Sequence, residues 1–519
     1  MAKKMVPLPK KKITYKKGKG DTRYVYYTLR AYRNEKGQPT SDEISIGKLD
    51  NATGMLIPNM NYYELFPEYA PEKTVRSVGY ISSFMEIAQR LSLTNLLVDA
   101  MGQERAKTAL SLASYMLSQG NVMMDYPNWM QGNYHDDLVP LSSQAISEFF
   151  ASITEEERIR FFKKWTNRHK TDGYIAYDVT SISSYSNDMN LVEWGYNRDD
   201  DNLAQINLGM YYGEDVGLPL FYKIYPGSIV DKSYFESVLA YSRHFGLKKL
   251  RIVMDQGLLS PKNFKMVCDV GYKALSLLSK NYKLYKELIE ETVKKPFSSR
   301  EFIGSVDIYS RSYEANYEGI PVKVHMYYNS EKATLNEKAL YADIKRKKEA
   351  LELIVKQKTL KPSQTKYFKI HQKGQTDISY EMDYDAIDEF KSKLGYFALI
   401  STDMSLSAEE ALTIYREKDV VEKAFDQLKN GMDYRRMRTH YAQTTEGKTF
   451  VVFISLIVRS VMIKKLKGNE ETSDLTIKQA IKQLENILEL HSEGKRNLLT
   501  ISKMQRKILA AIGVEQFKK

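Results

Sequence analysis

Between Gly173 and Leu278 the chain reads as three strands, a helix, a strand, a helix and a strand, an order that leaves few folds open to it. Tyr174-Ile-Ala-Tyr-Asp-Val179, Leu203 to Tyr212 and Leu218 to Tyr225 are short, largely apolar runs of buried-strand length, the third closed by Pro226-Gly227. Lys232 to Phe245 has helical spacing, Leu250-Arg-Ile-Val-Met254 returns to strand, and Ser260-Pro261 opens a helix with proline at its first position. Tyr272 to Leu278 ends the series. The expected fold class is α/β on a mixed sheet. Asp178 and Asp255 are each expected to end a strand beside a turn, where open α/β sheets place their ligands.

The flanks read differently. Residues 1 to about 20, with Lys3-Lys4 and Lys10 to Lys12, form a lysine-rich arm expected to be disordered until it meets an anion. Arg23 to Arg30 and Glu43 to Lys48, around the Asn34-Glu-Lys-Gly37 turn, predict a hairpin or small three-stranded sheet carrying Arg30 and Arg33 among aromatics. Such a sheet suits a DNA groove or a plain accessory role equally. From Val75 to about Lys170 the spacing is helical, with caps expected near Ser142 and Thr154, and Trp129 and Trp165 are expected in the core. Residues 285–394 interrupt the α/β pattern with strands near Phe302 to Tyr309 and Ile320 to Met326, then a charged helix from Leu335 to Gln357. Tyr396 to Ser401 resumes the strand pattern, and Phe450 to Met462 reads as a buried helix. Amphipathic helices are expected at Leu475 to Leu488 and Ser502 to Ile512.

Six regions are therefore expected. These are 1–70, a basic arm and small β-sheet with possible DNA binding; 71–170, a helical DNA-binding or dimerisation region; 171–284 and 395–466, two parts of one core; 285–394, a β-rich insertion; and 467–519, C-terminal helices.

Composition removes several function classes. No apolar run approaches the roughly 18 residues that a membrane-spanning helix needs, and no signal-peptide segment follows the basic start, so a cytoplasmic protein is expected. One cysteine, Cys268, excludes an intramolecular disulfide and a cysteine-built zinc site; the histidines lack metal-ligand spacing. Any metal must then sit on oxygen ligands. A net charge of +12 and many tyrosines point to a polyanionic partner, for which they supply neutralising and base-stacking groups.

Tyr415 to Lys429 reads as one helix with two faces. Ile414, Val421, Phe425 and Leu428 form an apolar stripe, and Tyr415, Lys418, Glu422, Asp426 and Lys429 fall beside it, placing Glu422 on the border between core and solvent. Ser407-Ala-Glu-Glu410 caps this helix, and the basic turn Tyr434-Arg-Arg-Met-Arg-Thr-His440 follows it. Asp199-Asp-Asp201, in a polar loop, is read as a solvated turn.

The spacing Tyr415, Lys418, Glu422, Lys429 resembles the Tyr-x2-Arg-x3-Glu-x6-Lys signature of the YREK group of DDE insertion-sequence transposases, with lysine where the family has arginine. With Asp178-Val-Thr-Ser, Asp255-Gln-Gly and Arg436-Met-Arg-Thr-His, the resemblance extends from about Gly173 to Met462. It implies an RNase H-like core with a β-rich insertion, and Asp178, Asp255 and Glu422 as catalytic acids holding two Mg²⁺, with Mn²⁺ as a substitute. Two ions about 3.5–4 Å apart clamp the attacking and leaving oxygens of an in-line phosphoryl displacement. The resemblance further implies DNA contacts from Tyr415, Lys418, Lys429, Arg436 and Arg438, cleavage at the element's inverted repeats with joining to target DNA, and a homodimer at synapsis in a bacterial or archaeal cytoplasm. A metal-dependent nuclease and a non-catalytic DNA-binding descendant stay open as alternatives. Hairpin formation at the ends is also open, with Tyr313 or Tyr327 as aromatic wedge in an insertion that has no tryptophan.

Overall fold

The computed structural model describes residues 5–18, 20–69, 74–169, 173–186, 189–199, 201–213, 215–243, 245, 250–354, 366–373, 377–492 and 495–517. Lys3 and Lys4 of the basic arm, Lys170 at the expected close of the helical region, Asp200 of the acidic loop and 355–357 of the expected charged helix lie outside the described residues. The chain divides into two compact units, Met1–Ser82 with Gln131–His135 and Lys482–Arg506, and Ser83–Met130 with Asp136–Ile481 and Lys507–Lys519.

The first unit holds a four-stranded antiparallel sheet of β1 (Ile13–Lys17), β2 (Arg23–Arg33), β3 (Pro39–Leu49) and β4 (Leu56–Pro58), in that spatial order, followed by α1 (Met60–Leu65). Val25, Ile46, Leu56 and Tyr62 are buried together in its core. β1 lies inside the stretch expected to be a disordered arm. Ile13-Thr-Tyr15 has the β-branched and aromatic residues that favour a strand, and it pairs with β2 from Ile13↔Tyr27 to Lys17↔Arg23. Lys16 and Lys17 stay exposed on this edge, which discourages further strand pairing. β5 (Thr74–Ser77) belongs to a second small sheet, completed by strands near the C-terminus.

Helices α2 (Gly79–Arg90), α3 (Leu93–Met101), α4 (Gln103–Gln119), α5 (Tyr126–Gly132), α6 (Ser143–Ser152) and α7 (Glu155–Arg168) follow. The expected caps are present: Ser142 accepts from the Ala145 amide, and Thr154 with Glu157 forms a capping box at the start of α7. Trp165 is fully buried and donates its indole N–H to the Pro219 carbonyl, while Trp129 is half-buried.

The second unit is built on β6 (Tyr174–Ser183), β7 (Gln205–Gly213), β8 (Leu218–Pro226), α8 (Asp231–Arg243), β9 (Arg251–Met254), α9 (Pro261–Asp269), β10 (Lys273–Leu277) and α10 (Lys283–Lys294). Then come β11 (Phe302–Ile303), β12 (Ile308–Tyr317), β13 (Ile320–Tyr328), α11 (Ser330–Ile354), β14 (Phe368–Lys373), β15 (Asp377–Met382), α12 (Tyr384–Ser392) and β16 (Tyr396–Ser401). Among the described residues one nine-stranded mixed sheet runs β11-β12-β13-β16-β10-β9-β6-β7-β8. β6, β7 and β8 are antiparallel neighbours, whereas β6, β9 and β10 run parallel. β12 and β13 lie in the block that interrupts the sequence pattern, yet β13 pairs with β16 and β16 with β10, so they extend the main sheet. Among the described residues β14 and β15 pair only with each other, and they pack with α11 and α12 around Leu351, Phe368 and Ile387.

α13 (Ala408–Glu417), α14 (Asp419–Asp426) and α15 (Ala442–Lys467) come next. α15 is the buried apolar helix expected at Phe450 to Met462, and it packs on α4, α6 and β8. α16 (Ile477–Glu485) is shorter than expected. It gives way to β17 (Leu488–Ser492) and β18 (Lys495–Leu498), strands absent from the helical reading and joined to β5 in the order β18-β17-β5. α17 (Lys503–Ile512) ends the chain's regular structure. No described helix is long and apolar enough to cross a membrane.

Candidate active site

The parallel ladder between β6 and β9 ends at the pair Tyr177↔Met254. The next residues are Asp178 and Asp255, so the two carboxylates leave the same end of the same ladder. Asp255 ends its strand as expected. Asp178 does not: it lies mid-strand, because Val179 to Ser183 continue pairing with β7 as far as Ser183↔Gln205. It is a strand end only toward β9.

Asp178 accepts a hydrogen bond from the Val179 amide at 2.8 Å. Burial raises its carboxyl to about 6; Lys418 and the Val179 amide oppose that rise, Asp255 adds to it and Arg198 opposes it. Asp255 is exposed, and its side chain makes no capping bond to the turn it opens.

The expected single helix is three pieces. α13 starts at the capping box of Ser407 and Glu410, breaks at Lys418, resumes as α14 and ends in a π-helical turn, Gln427–Gly431. The apolar stripe holds, with Val421, Phe425 and Leu428 buried, and α14 packs on β6 and β7. Glu422 is exposed and accepts from the Lys418 ammonium at 2.8 Å.

The two lysines are not on a solvated face. Lys418 is 4% exposed and Lys429 7%. Burial disfavours the Lys418 ammonium, but Asp178, Glu422 and Asp255 outweigh that and hold its pKa above the ordinary value. Tyr415 lies in the same field: burial, then Asp255, raise its phenol to about 12, with Glu422 and Asp178 contributing. Asp178, Asp255, Glu422, Tyr415 and Lys418 are thus brought together around one buried ammonium.

Lys429 is turned elsewhere. It bonds Asp199 at 2.7 Å, and burial lowers its pKa despite that partner. The reading of Asp199 and Asp201 as a solvated turn is corrected accordingly. Asp199 is the largely buried partner of a buried lysine, and Asp201 accepts from the Ser183 hydroxyl and lies 3.8 Å from the Arg436 Nε. The segment before α15 is clipped to the end of β6, with Ser183 N–H donating to the Arg435 carbonyl and Met437 N–H to the Ser183 carbonyl. Arg436 stacks over exposed Tyr185 at 5.2 Å. Arg438 pairs with Asp433 at 3.1 Å.

Neither tyrosine expected as a wedge has that form. Tyr327 is fully buried and donates to the Ala408 carbonyl, and the Tyr313 hydroxyl lies 2.9 Å from that of Thr292. Within residues 285–394 the exposed aromatics among the described residues are Phe302, Tyr341, Tyr384 and Phe390, and outside that block Tyr185, Trp194 and Tyr196, between β6 and β7, and Tyr441 at the start of α15 are also exposed. Sequence reading missed them, and Arg198 with them; Trp194-Gly-Tyr196 in a polar loop, with no apolar period to bury it, was the available signal.

The oxygen donors of Asp178, Asp255 and Glu422 suit a hard divalent cation. Among the described residues no three carboxylates or other ligands converge into a ready metal cluster. As the site stands, Lys418 supplies the positive charge and occupies Glu422. The donor chemistry fits a divalent ion, and the free Asp255 carboxylate leaves an open ligand for it.

The family model of the transposase DDE domain matches residues 170–458, a span that includes all three acids. No curated protein matches the chain significantly. Among solved structures the chain is similar to a piggyBac transposase in a synaptic complex with hairpin DNA, at 12% identity over 77% of this chain and 70% of that one, with a TM-score of 0.35.

Proposed function

From the premise that the chain belongs to the transposase DDE domain family, we propose that it is a DNA transposase of the YREK group that cleaves at insertion-sequence ends and joins them to target DNA with divalent metal. The observation that carries this reading is the shared exit of Asp178 and Asp255 from the β6/β9 ladder, with Lys418, the partner of Glu422, in the field of both. The RNase H-like part of the proposal rests on the strand order β8-β7-β6-β9-β10, three antiparallel strands followed by two parallel to the first.

Asp178, Asp255 and Glu422 would hold two Mg²⁺ or Mn²⁺ ions, which when bound supply Lewis-acid stabilisation of the charge on the reacting phosphate. The remaining work belongs to the chain. Tyr415 and Lys418 line the same pocket of charge and would position the phosphate beside the acids. Lysine at 418 offers a point charge without the bidentate fork of arginine. Lys429 acts as a positioning residue, fixing the Asp199 loop under the site. Arg436, with Tyr185 beneath it, would take DNA backbone beyond the acids, and Arg438 a further phosphate. The basic β2–β3 ribbon of the first unit and the helices of 71–170 are proposed DNA or subunit contacts, with two copies pairing two element ends in the cytoplasm.

The test uses purified protein and its Glu422→Gln variant on a linear duplex carrying the DNA that flanks the coding sequence. The wild type is expected to give Mg²⁺-dependent 3′-hydroxyl ends and joined products, and the variant to bind without either. Cutting without joining would make the protein a nuclease. Binding without cutting in Mg²⁺ and in Mn²⁺ would make it a DNA-binding descendant.

A further inference from the structure

A cavity of about 290 Å³, lined by none of the three acids, lies between α6 and the start of α15. Asn121, Ser143, Ser147, Arg438 and Lys448 give it a polar wall, and Ile146 and Phe150 an apolar one. Gly447 makes the close approach possible, since a Cβ there would lie 1.9 Å from the Phe150 carbonyl oxygen.

Lys448 is 2% exposed, and its ammonium donates to the Asn121 carbonyl at 3.1 Å, the Asn121 side-chain oxygen at 2.5 Å and the Met437 carbonyl at 3.1 Å. All three acceptors are neutral. Burial first, then Arg438, pushes its pKa down to about 7, and Asp433 opposes this. Arg438 lines the same cavity, is held at a φ of 50° that side chains rarely adopt, and gives Asp433 only its Nη2. One carboxylate therefore faces two cations. The N-terminal ends of two helices add positive potential to the same space.

We propose that this cavity seats a phosphate group of DNA, at a distance from the three acids and independent of them. Arg438 and the hydroxyls of Ser143 and Ser147 supply hydrogen bonds. Lys448 supplies charge alone, its protons being held by neutral oxygens. Ile146 and Phe150 suit the flanking sugar or base. The chemistry is that of a phosphate, which a free phosphate ion could also bring; the cavity's size, well above one such ion, and its apolar wall favour a nucleotide within a strand. The inference rests on the reading of the protein as a DNA transposase.

The test measures affinity of the full-length chain for a duplex oligonucleotide across a salt series, for the wild type, Arg438→Gln, Ser147→Glu and the size control Ser147→Gln. Ser147 is exposed, so its variants fold, and the glutamate places a competing carboxylate in the cavity. Loss of one phosphate contact lowers the slope of log affinity against log salt by about 1. That loss is expected in Arg438→Gln and Ser147→Glu, whereas Ser147→Gln, which removes the hydroxyl without changing the charge, is expected to weaken binding at every salt concentration and leave the slope at the wild-type value. Unchanged slopes in both would overturn the phosphate seat while leaving the transposase reading intact. No salt-dependent binding by the wild type would sink that reading, and this inference with it. If inorganic phosphate raises the melting temperature of the wild type and not of Ser147→Glu while the DNA slopes stay equal, the seat is for a free ion and the proposal of DNA is overturned.

Discussion

Lys418 and Lys448 are equally hidden from water and opposite in their surroundings. Around Lys418 stand Asp178, Asp255 and Glu422, and the ammonium is held above its ordinary pKa; around Lys448 stand neutral oxygens and Arg438, and it falls to about 7. Burial disfavours both charges, so the difference comes from the neighbours. One region has gathered more negative charge than it neutralises and is suited to receive cations. The other has gathered positive charge and is suited to receive an anion. Under the proposed reading the first region receives metal and the second phosphate; the direction of the shift does not decide this alone, since Lys429 also lies below its ordinary pKa while Asp199 holds it.

The strongest way to break this contrast is to remove charge from the first region. Glu422→Gln is expected to lower strand cleavage by on the order of 10²–10³-fold or more, the scale of losing one electrostatic contact to a transition state, with DNA binding retained. Single-turnover cleavage on the flanking duplex reads it, and near-normal cleavage would remove Glu422 from the chemistry.

Next in size is Asp199→Ala, which strands Lys429 as a buried cation. Breaking a buried pair from one side costs about 3–5 kcal/mol. The side chains are slightly accessible, so the lower figure is expected, seen as a reduced urea midpoint; Lys429→Met, which removes the charge as well, is expected to cost less. Equal losses would show that the pair's geometry, not the stranded charge, sets the cost.

Lys448→Met sharpens the second region. Because the folded pKa lies below the unfolded one, the unfolded chain binds more protons between about pH 7 and the ordinary lysine range, so this lysine makes stability rise with pH across that window. The variant is expected to lose this lysine's part of the rise in a urea series from pH 7 to pH 10. Arg438 and Asp433 are the charged neighbours that set the window; Lys429 and Lys280, also below their ordinary pKa, keep a share of the rise, and a rise undiminished in the variant would assign all of it to such groups. The smallest effect is Ser407→Ala, expected to cost about 1 kcal/mol through loss of the cap at the start of α13.

Much of the sheet was legible because its strands are short apolar runs closed by glycine, proline or aspartate, and the caps because their hydroxyl-to-acid spacing is local. Asp255 was legible as a strand-end acid, whereas Asp178 was placed at the end of a strand that pairing with β7 carries on to Ser183. The burial of Lys418 and Lys429 was not legible. Lysine at those positions reads as the polar side of an amphipathic helix, and the partner that buries Lys429, Asp199, is remote in sequence. Lys448 was hidden for the same reason, since Glu446-Gly-Lys448 looks like a solvated helix start and its acceptors come from Asn121 and Met437. β1 was masked by the lysines around Ile13-Thr-Tyr15.

Gly447 carries a consequence for genetics. A methyl group at 447 would drive the start of α15 away from the last turn of α6, while Asp178, Asp255 and Glu422 sit on other elements. Gly447→Ala is therefore expected to behave as a conditional allele: near-normal mobility in cool culture, collapse on warming, and recovery through a second-site change that trims the facing surface of α6. Such suppressors, collected in a mobility screen, would trace the contact between the two helices.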